Sequence, residues 1–125
     1  MKMLGTFNLN REHVEVYVDE ADSGCSGWFC IDPVSTKGDL LPARIVVGKG
    51  QGRTKFLSTL LHEAFEFCAH RNGHRYTCTK SSGQNTSDCQ FSFDHQEMDR
   101  IMDAMADFLA DLLPALDKKI KWNSR

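Results

Sequence analysis

The sequence predicts an α+β fold in which a small antiparallel sheet of N-terminal strands packs on two main helices. In the first half of the chain, apolar and polar residues alternate over short segments, which is typical of half-buried strands. In the second half, apolar residues recur every three or four positions over two long stretches, which is typical of amphipathic helices. The 125 residues, of which 41% are hydrophobic, suit a single domain over residues 1–125 with one core.

Four segments of the first half have the residue types and the boundaries of strands. They are residues 3–9, 13–18, 28–31 and 44–47. In the second segment Val14, Val16 and Val18 share one face, so we expect that strand to be buried on one side. Gly, Pro, Asp and Ser residues separate the segments, as turns and loops require.

The first helix is predicted from Thr54 to Asn72. Its apolar residues follow steps of three and four positions: Phe56, Leu57, Leu60, Leu61, Ala64, Phe65 and Cys68. Gly73 comes next and is expected to end the helix, because glycine adopts the left-handed conformation of a helix C-terminus at little cost.

A β-hairpin-like insertion and a second helix complete the predicted fold. Residues 76–79 and 90–93 are the strands of the insertion, on either side of a loop rich in Ser, Gly, Asn and Thr. Asp94, followed three positions later by a glutamate, predicts the start of the second helix. Pro114 is expected to end that helix because proline lacks a backbone N–H, and residues 118–122 are expected to form an exposed or loosely docked tail.

Composition and charge exclude several classes of function. Fifteen Lys and Arg against seventeen Asp and Glu give a formal net charge of −2, so the basic excess of a nucleic-acid-binding protein is missing. No apolar run approaches the roughly 18 residues that cross a bilayer, and the N-terminus lacks a secretory signal. The five cysteines are an odd number, which favours a reducing compartment. We therefore expect a cytoplasmic protein without a nucleic-acid or membrane partner.

The clearest chemical pattern is formed by His62, Glu63 and Glu66 in the first predicted helix. At about 100° per residue, His62 and Glu66 lie one turn apart on the same face, where they can bind one metal ion. A carboxylate beside such a pair, here Glu63, can act as the general base on a metal-bound water. The alternative is that these residues are the solvated polar face of an amphipathic helix.

A third ligand is predicted at His95, the first helical position after Asp94. Steps of three and four residues from His95 lead along the apolar stripe of the second helix, so we expect the imidazole to face the core or the neighbouring helix. His62, Glu66 and His95 would then form a set of two histidines and one carboxylate, which suits Zn²⁺ and also Mn²⁺ or Fe²⁺. The alternative for His95 is a polar helix-start residue or a hydrogen-bonded core histidine.

These features resemble the small zincin-type metallopeptidases, compact HExxH proteins with a short sheet, a metal-binding helix and a following helix that supplies the third ligand. The resemblance rests on residues 60–66 (LLHEAFE), on the strand at 44–47 and on the helix that begins at Asp94. It covers the organisation of roughly the whole chain, although only five contiguous residues carry the motif.

The resemblance implies that His62 is a Zn²⁺ ligand and that Glu63 activates water. The sequence departs from the family in having Glu66 where the second histidine of the motif stands, which makes it an HExxE variant. His95 would then replace the usual third ligand, which is often a carboxylate.

Other residues offer further alternatives. His70 lies two helical turns from the first motif residue, about 12 Å along the axis, and is expected to be a supporting or exposed residue. His70 and His74, with Cys25 and Cys30, would imitate a Cys₂His₂ site, but their separation is not that of a zinc finger. A Cys–His hydrolase is a further alternative.

Two hypotheses of function follow. The first is a metal-dependent, zincin-like hydrolase that cleaves peptide bonds with a metal-activated water. The second is a non-enzymatic small inhibitor or regulatory module that binds another protein, with or without a retained metal site.

Overall fold

The computed structural model confirms the predicted α+β fold. It describes residues 1–24, 26–50, 52–73, 77–78, 89–90 and 93–122. The elements are β1 (Lys2–Leu9), β2 (Glu12–Asp19), β3 (Gly27–Cys30), β4 (Ala43–Gly48), α1 (Arg53–Arg71), β5 (Thr77–Cys78), β6 (Cys89–Gln90) and α2 (His95–Lys119). Each predicted strand and helix therefore has a counterpart, with ends that differ by a few residues except at the end of α2.

The four-stranded sheet has the order β1-β2-β4-β3. β1 pairs antiparallel with β2, and β3 pairs antiparallel with β4, whereas β2 and β4 are parallel. The chain passes from β2 to β3 without pairing the two and then returns as β4 between them. The sheet is therefore mixed, where the sequence predicted antiparallel strands throughout.

The core lies between one face of the sheet and the two helices. The predicted row of Val14, Val16 and Val18 is fully buried on that face. α2 covers β1, where the rings of Phe7 and Phe108 meet edge to face with 6.1 Å between their centroids. α1 covers β3 and β4. The molecule therefore has two layers, and α1 is the helix next to β3.

The helix boundaries that rest on capping chemistry are confirmed. The Asp94 side chain accepts a hydrogen bond of 2.8 Å from the backbone N–H of Glu97 at the start of α2. α1 ends at Arg71, and Gly73 has a φ of 78°, the left-handed conformation that favours glycine there.

The predicted end of the second helix at Pro114 is wrong, because α2 continues to Lys119. Leu112 and Leu116 are both fully buried and extend the apolar column past the proline, and Ile120 is only 3% exposed. Burying a leucine contributes about 1.5–3 kcal/mol, comparable to the roughly 3 kcal/mol that an interior proline costs a helix. Tertiary packing therefore offsets the local penalty.

The tail is docked rather than loose. The ammonium group of Lys119 donates a hydrogen bond of 2.7 Å to the carbonyl of Leu4 in β1. Trp122 packs against Phe56 of α1 with 5.5 Å between the ring centroids. The end of α2 and the residues after it therefore close one side of the core.

The predicted insertion between the helices contains a short antiparallel pair of strands, β5 and β6. Thr77 pairs with Gln90, and Cys78 pairs with Cys89, in antiparallel register. Residues 76, 79, 91 and 92 of the two predicted strands lie outside the described residues. Within the described ranges, neither long helix is apolar enough over its length to cross a bilayer.

Candidate metal site on helix α1

Helix α1 carries His62, Glu63 and Glu66 at the border between its buried and exposed faces. The buried column includes Phe56, Leu60, Ala64 and Phe67. Around the helix axis, Glu63 lies about 60° from Leu60, whereas His62 lies about 160° away. The Glu63 side chain is accordingly 9% exposed and that of His62 is 66% exposed. One turn of helix thus combines a buried carboxylate with an open imidazole.

The three side chains converge at their polar ends. Nε2 of His62 lies 3.0 Å from Oε2 of Glu66, one turn along the helix. The same nitrogen lies 3.8 Å from Oε2 of Glu63. One donor atom from each residue falls within 4.8 Å of the other two. This spacing is compatible with one ion bound between them, as the i, i+4 pattern predicts.

Burial sets the electrostatic character of Glu63. Desolvation raises the pKa of the Glu63 carboxyl above its usual value, and the nearby carboxylate of Glu66 raises it further. His62 acts in the opposite direction. A carboxyl group with a raised pKa suits proton transfer nearer to neutral pH, as a general base requires.

Strand β3 packs against α1 beside Glu63. At Gly27 the strand comes so close to α1 that an added Cβ atom would lie 2.7 Å from Cγ2 of Thr59 and 2.9 Å from Cγ of Glu63. Farther along, the rings of Phe29 and Phe67 meet edge to face at 6.1 Å. β3 therefore follows α1 in the same direction, with the start of the strand at the candidate site.

Arg71, the last residue of α1, forms hydrogen bonds with two carboxylates outside the helix. Its guanidinium donates hydrogen bonds of 2.7 Å to Asp32, two residues beyond β3, and of 3.1 Å to Glu12 in β2. The hydrogen bond from Arg71 lowers the pKa of the Asp32 carboxyl, and the same bond raises the pKa of Arg71. These bonds tie the last turn of α1 to β2 and to the segment that follows β3.

His95 does not face inward, so that prediction is wrong. Its side chain is 92% exposed, and its Nε2 lies 3.6 Å from a carboxylate oxygen of Asp99. The buried column of α2 includes Ile101, and His95 lies six residues earlier, about 120° away from it around the axis. The residues grouped around His62 do not include His95. The third residue of that group is Glu63.

The packing of the two helices also explains why His95 lies away from Glu63. Phe65 of α1 meets Phe93, just before α2, with 5.6 Å between the ring centroids. Phe65 lies about 160° from Glu63 around the axis of α1. α2 therefore begins on the opposite side of α1 from Glu63, and β3 borders that carboxylate.

The other sequence alternatives gain no support from the described residues. His70 is exposed and lies outside the His62 group. Cys68 is a buried free thiol, and desolvation raises its pKa to about 12, which opposes the thiolate form of a nucleophile. His74 and Cys25 lie outside the described residues.

Sequence reasoning missed Gly27 and Thr59, which border Glu63. A glycine at the start of a strand signals a close approach of another group, but it does not identify that group. The neighbour is evident only once β3 lies against α1.

The donor set fits a divalent transition metal. The imidazole nitrogen of His62 and the carboxylate of Glu66 are ligand types of Zn²⁺, Mn²⁺ and Fe²⁺ sites, and the second carboxylate, that of Glu63, lies beside them. No protein-family model matches this chain, and comparisons with curated proteins and with solved structures find no similar protein.

Proposed function

We propose that this protein is a metal-dependent hydrolase that acts on peptide bonds through a metal-activated water. The observation that carries the proposal is the 3.0 Å approach of His62 to Glu66 beside the buried carboxylate of Glu63, all on one turn of α1. His62 and Glu66 would hold the ion, which is Zn²⁺ in the first instance and Mn²⁺ or Fe²⁺ otherwise. His95 is left out because of its exposure.

The roles of the residues follow from their surroundings. When bound, the ion lowers the pKa of water and polarises the carbonyl of the scissile bond. Glu63 takes up the proton of the attacking water, and its burial keeps the carboxylate from being fully solvated. The exposed imidazole of His62 leaves the site open to solvent on one side, where a peptide can approach.

Elemental analysis of untagged protein, purified without chelator, tests the metal site. We expect about one ion per chain in the wild type and a loss of most of it in His62→Ala and Glu66→Ala. His95→Ala is the matched control, because it removes an exposed histidine outside the group. A wild type without stoichiometric metal, or an ion retained in His62→Ala, contradicts the proposal.

Hydrolysis of a mixed peptide library, followed by mass spectrometry, tests the activity. Glu63→Gln is expected to keep the ion and to lower kcat by roughly 10²–10⁴-fold, the usual contribution of a general base. If Glu63→Gln loses the ion, Glu63 is a ligand rather than the base. If it keeps ion and fold and the wild type cleaves no peptide, the catalytic proposal fails.

A second candidate function is a non-enzymatic protein-binding module. Exposed apolar side chains on β3 and on the segment after it favour this candidate: Trp28 at 46%, Val34 at 60% and Leu40 at 77%. Such a surface on a small domain is typical of contacts between proteins. The two variants can be compared in cells in place of the wild-type protein. If Glu63→Gln retains the function of the protein there and Leu40→Glu loses it, the binding module is favoured over the enzyme.

We also propose that the protein acts in the cytoplasm. Cys30 and Cys68 are free thiols in the described part of the chain, and a reducing compartment keeps thiols in this form.

A further inference from the structure

β3 and α1 come together at Gly27 with no room for a side chain. A Cβ atom at this position would lie 2.7 Å from Cγ2 of Thr59, 2.9 Å from Cγ of Glu63 and 3.3 Å from Cδ of Glu63. Real Cβ atoms essentially never make contacts below 3.0 Å. Any other residue at position 27 must therefore displace a side chain of the candidate site or the strand itself.

The glycine is required by space and not by backbone conformation. Among the described glycines, those with positive φ are at positions 5, 38, 50 and 73, so Gly27 has a backbone conformation that other residues also adopt. An alanine at position 27 therefore carries no conformational strain of its own. Its effects report the contacts of the added methyl group.

The strand cannot easily move away to make room. Gly27 pairs with Val47, and Phe29 pairs with Ile45, in the central strand β4. Phe29 also packs against Phe67 of α1. Because the strand is paired with β4 at the contact itself and again two residues beyond it, the side chain that yields is that of Glu63 or Thr59.

We propose that Gly27 is a positioning residue for the metal site, because its missing side chain lets the Glu63 carboxylate lie beside His62 and Glu66. The inference rests on the proposed function. β3 thus controls the geometry of a site whose donor atoms all come from α1, and Gly27 acts through Glu63 rather than through the stability of the fold.

The test is a double-mutant cycle in a Thr59→Ser background, which removes the Cγ2 methyl group and leaves Glu63, among the described residues, as the one neighbour within 3.0 Å of a new Cβ. All four proteins of the cycle carry Thr59→Ser. One has no further change, one has Gly27→Ala, one has Glu63→Ala, and one has both. Zn²⁺ affinity is measured by competition with a chromophoric chelator, and thermal unfolding is measured alongside. Gly52→Ala is the matched control, since an added Cβ there has nothing within 4 Å.

Gly27→Ala is expected to weaken Zn²⁺ binding roughly tenfold, because it displaces a carboxylate that lies beside the two ligands His62 and Glu66 and supports them without itself binding the ion. Glu63→Gln leaves a side chain of the same size in place and is therefore still expected to keep the ion. In the Glu63→Ala background the same change is expected to have no further effect, because the group through which it acts is gone. Gly52→Ala should bind Zn²⁺ as the wild type does.

Other results of the Zn²⁺-binding and unfolding measurements overturn the inference, support it, or overturn both proposals. If the wild type holds metal and Gly27→Ala binds it equally well, this inference is overturned and the proposed function stands. The inference is also overturned if Gly27→Ala weakens binding equally in both Glu63 backgrounds, or if it prevents folding in both. If it prevents folding only when Glu63 is present, the conflict with Glu63 is supported. A wild type that binds no metal overturns both proposals.

Discussion

His62, Glu63 and Glu66 illustrate how strongly one helical step changes the chemistry of a residue. His62 and Glu63 are neighbours in sequence, yet their side chains are 66% and 9% exposed. The sequence reveals the 100° step and so predicts that His62 and Glu66 meet. It does not reveal which side of the polar face is covered, because β3 supplies that cover from a distant part of the chain.

His95 also shows that the sequence of one helix does not reveal which of its sides is covered by the rest of the chain. The helical period and the Asp94 cap are both visible in the sequence and both are confirmed. The buried column, however, is set by which side of α2 meets β1, and this leaves His95 in solvent. A prediction from one helix alone could not fix that orientation.

Replacing Glu63 with glutamine is expected to stabilise the metal-free protein at neutral and higher pH. The folded protein holds the Glu63 proton more tightly than the unfolded chain, in which the pKa is about 4.5. Ionisation therefore favours unfolding as pH rises through the folded-state pKa, and this penalty is absent below about pH 4. Thermal unfolding in chelator at pH 3.5 and pH 8 measures the difference.

In this experiment Glu63→Gln should exceed the wild type in Tm at pH 8 and match it at pH 3.5. Glu20→Gln, at an exposed position, controls for the general removal of a negative charge. An equal gain in Tm at both pH values would show that burial of the carboxylate is not the cause.

At the scale of elements, local signals predicted where strands and helices begin better than how they assemble. Alternation and the Asp94 cap placed the strands and the start of α2. The end of α2 was missed because Pro114 is a strong local stop signal, while Leu116 and Ile120 are buried beyond it. The parallel pairing of β2 with β4 was missed because it joins strands that are not consecutive in sequence.

Pro114→Ala is expected to stabilise the protein. Alanine restores a backbone N–H in the helix interior and removes the ring, which together are worth up to about 3 kcal/mol, less about 0.4–1 kcal/mol for the greater freedom of the unfolded chain. Position 114 is exposed, so no core contact is lost. Urea unfolding should show a higher midpoint, and a lower one would mean that the proline has a packing role.

Leu116→Ala is expected to cost about 2–5 kcal/mol of unfolding free energy, because it leaves a cavity in the core. Leu113→Ala, at a half-buried position of the same helix, should cost clearly less. Urea unfolding of both variants measures the contrast. Equal small losses would indicate that the last turns of α2 are not part of the cooperative core.

At the scale of the whole molecule, the candidate site belongs to the junction of α1 with β3 rather than to the junction of the two helices. α2 and β1 build the other half of the core. Changes to the contacts of α2 should therefore alter stability more than metal binding, whereas Gly27→Ala in β3 should alter metal binding more than stability.

Arg71→Met is expected to lower the Tm, because the hydrogen bonds of Arg71 join α1, β2 and the segment after β3 and methionine cannot form them. The Asp32 carboxyl has a lowered pKa in the folded state, so its contribution is present above the unfolded pKa and is lost as pH falls. The Tm difference from the wild type should therefore be larger at pH 7 than at pH 3. A difference independent of pH would contradict the ionic role.

The position of β4 in the middle of the sheet has a consequence for the order of assembly. β3 leaves the ribosome before β4, but its neighbour in the sheet is β4 and not β2. A nascent chain that ends at residue 42 has made β1, β2 and β3, and of the pairs in the finished sheet it can form only the β1–β2 hairpin. Synthesis of the six residues of β4 then permits both the β2–β4 and the β3–β4 pairing. Only after that step can β3 pack against α1 as part of the sheet.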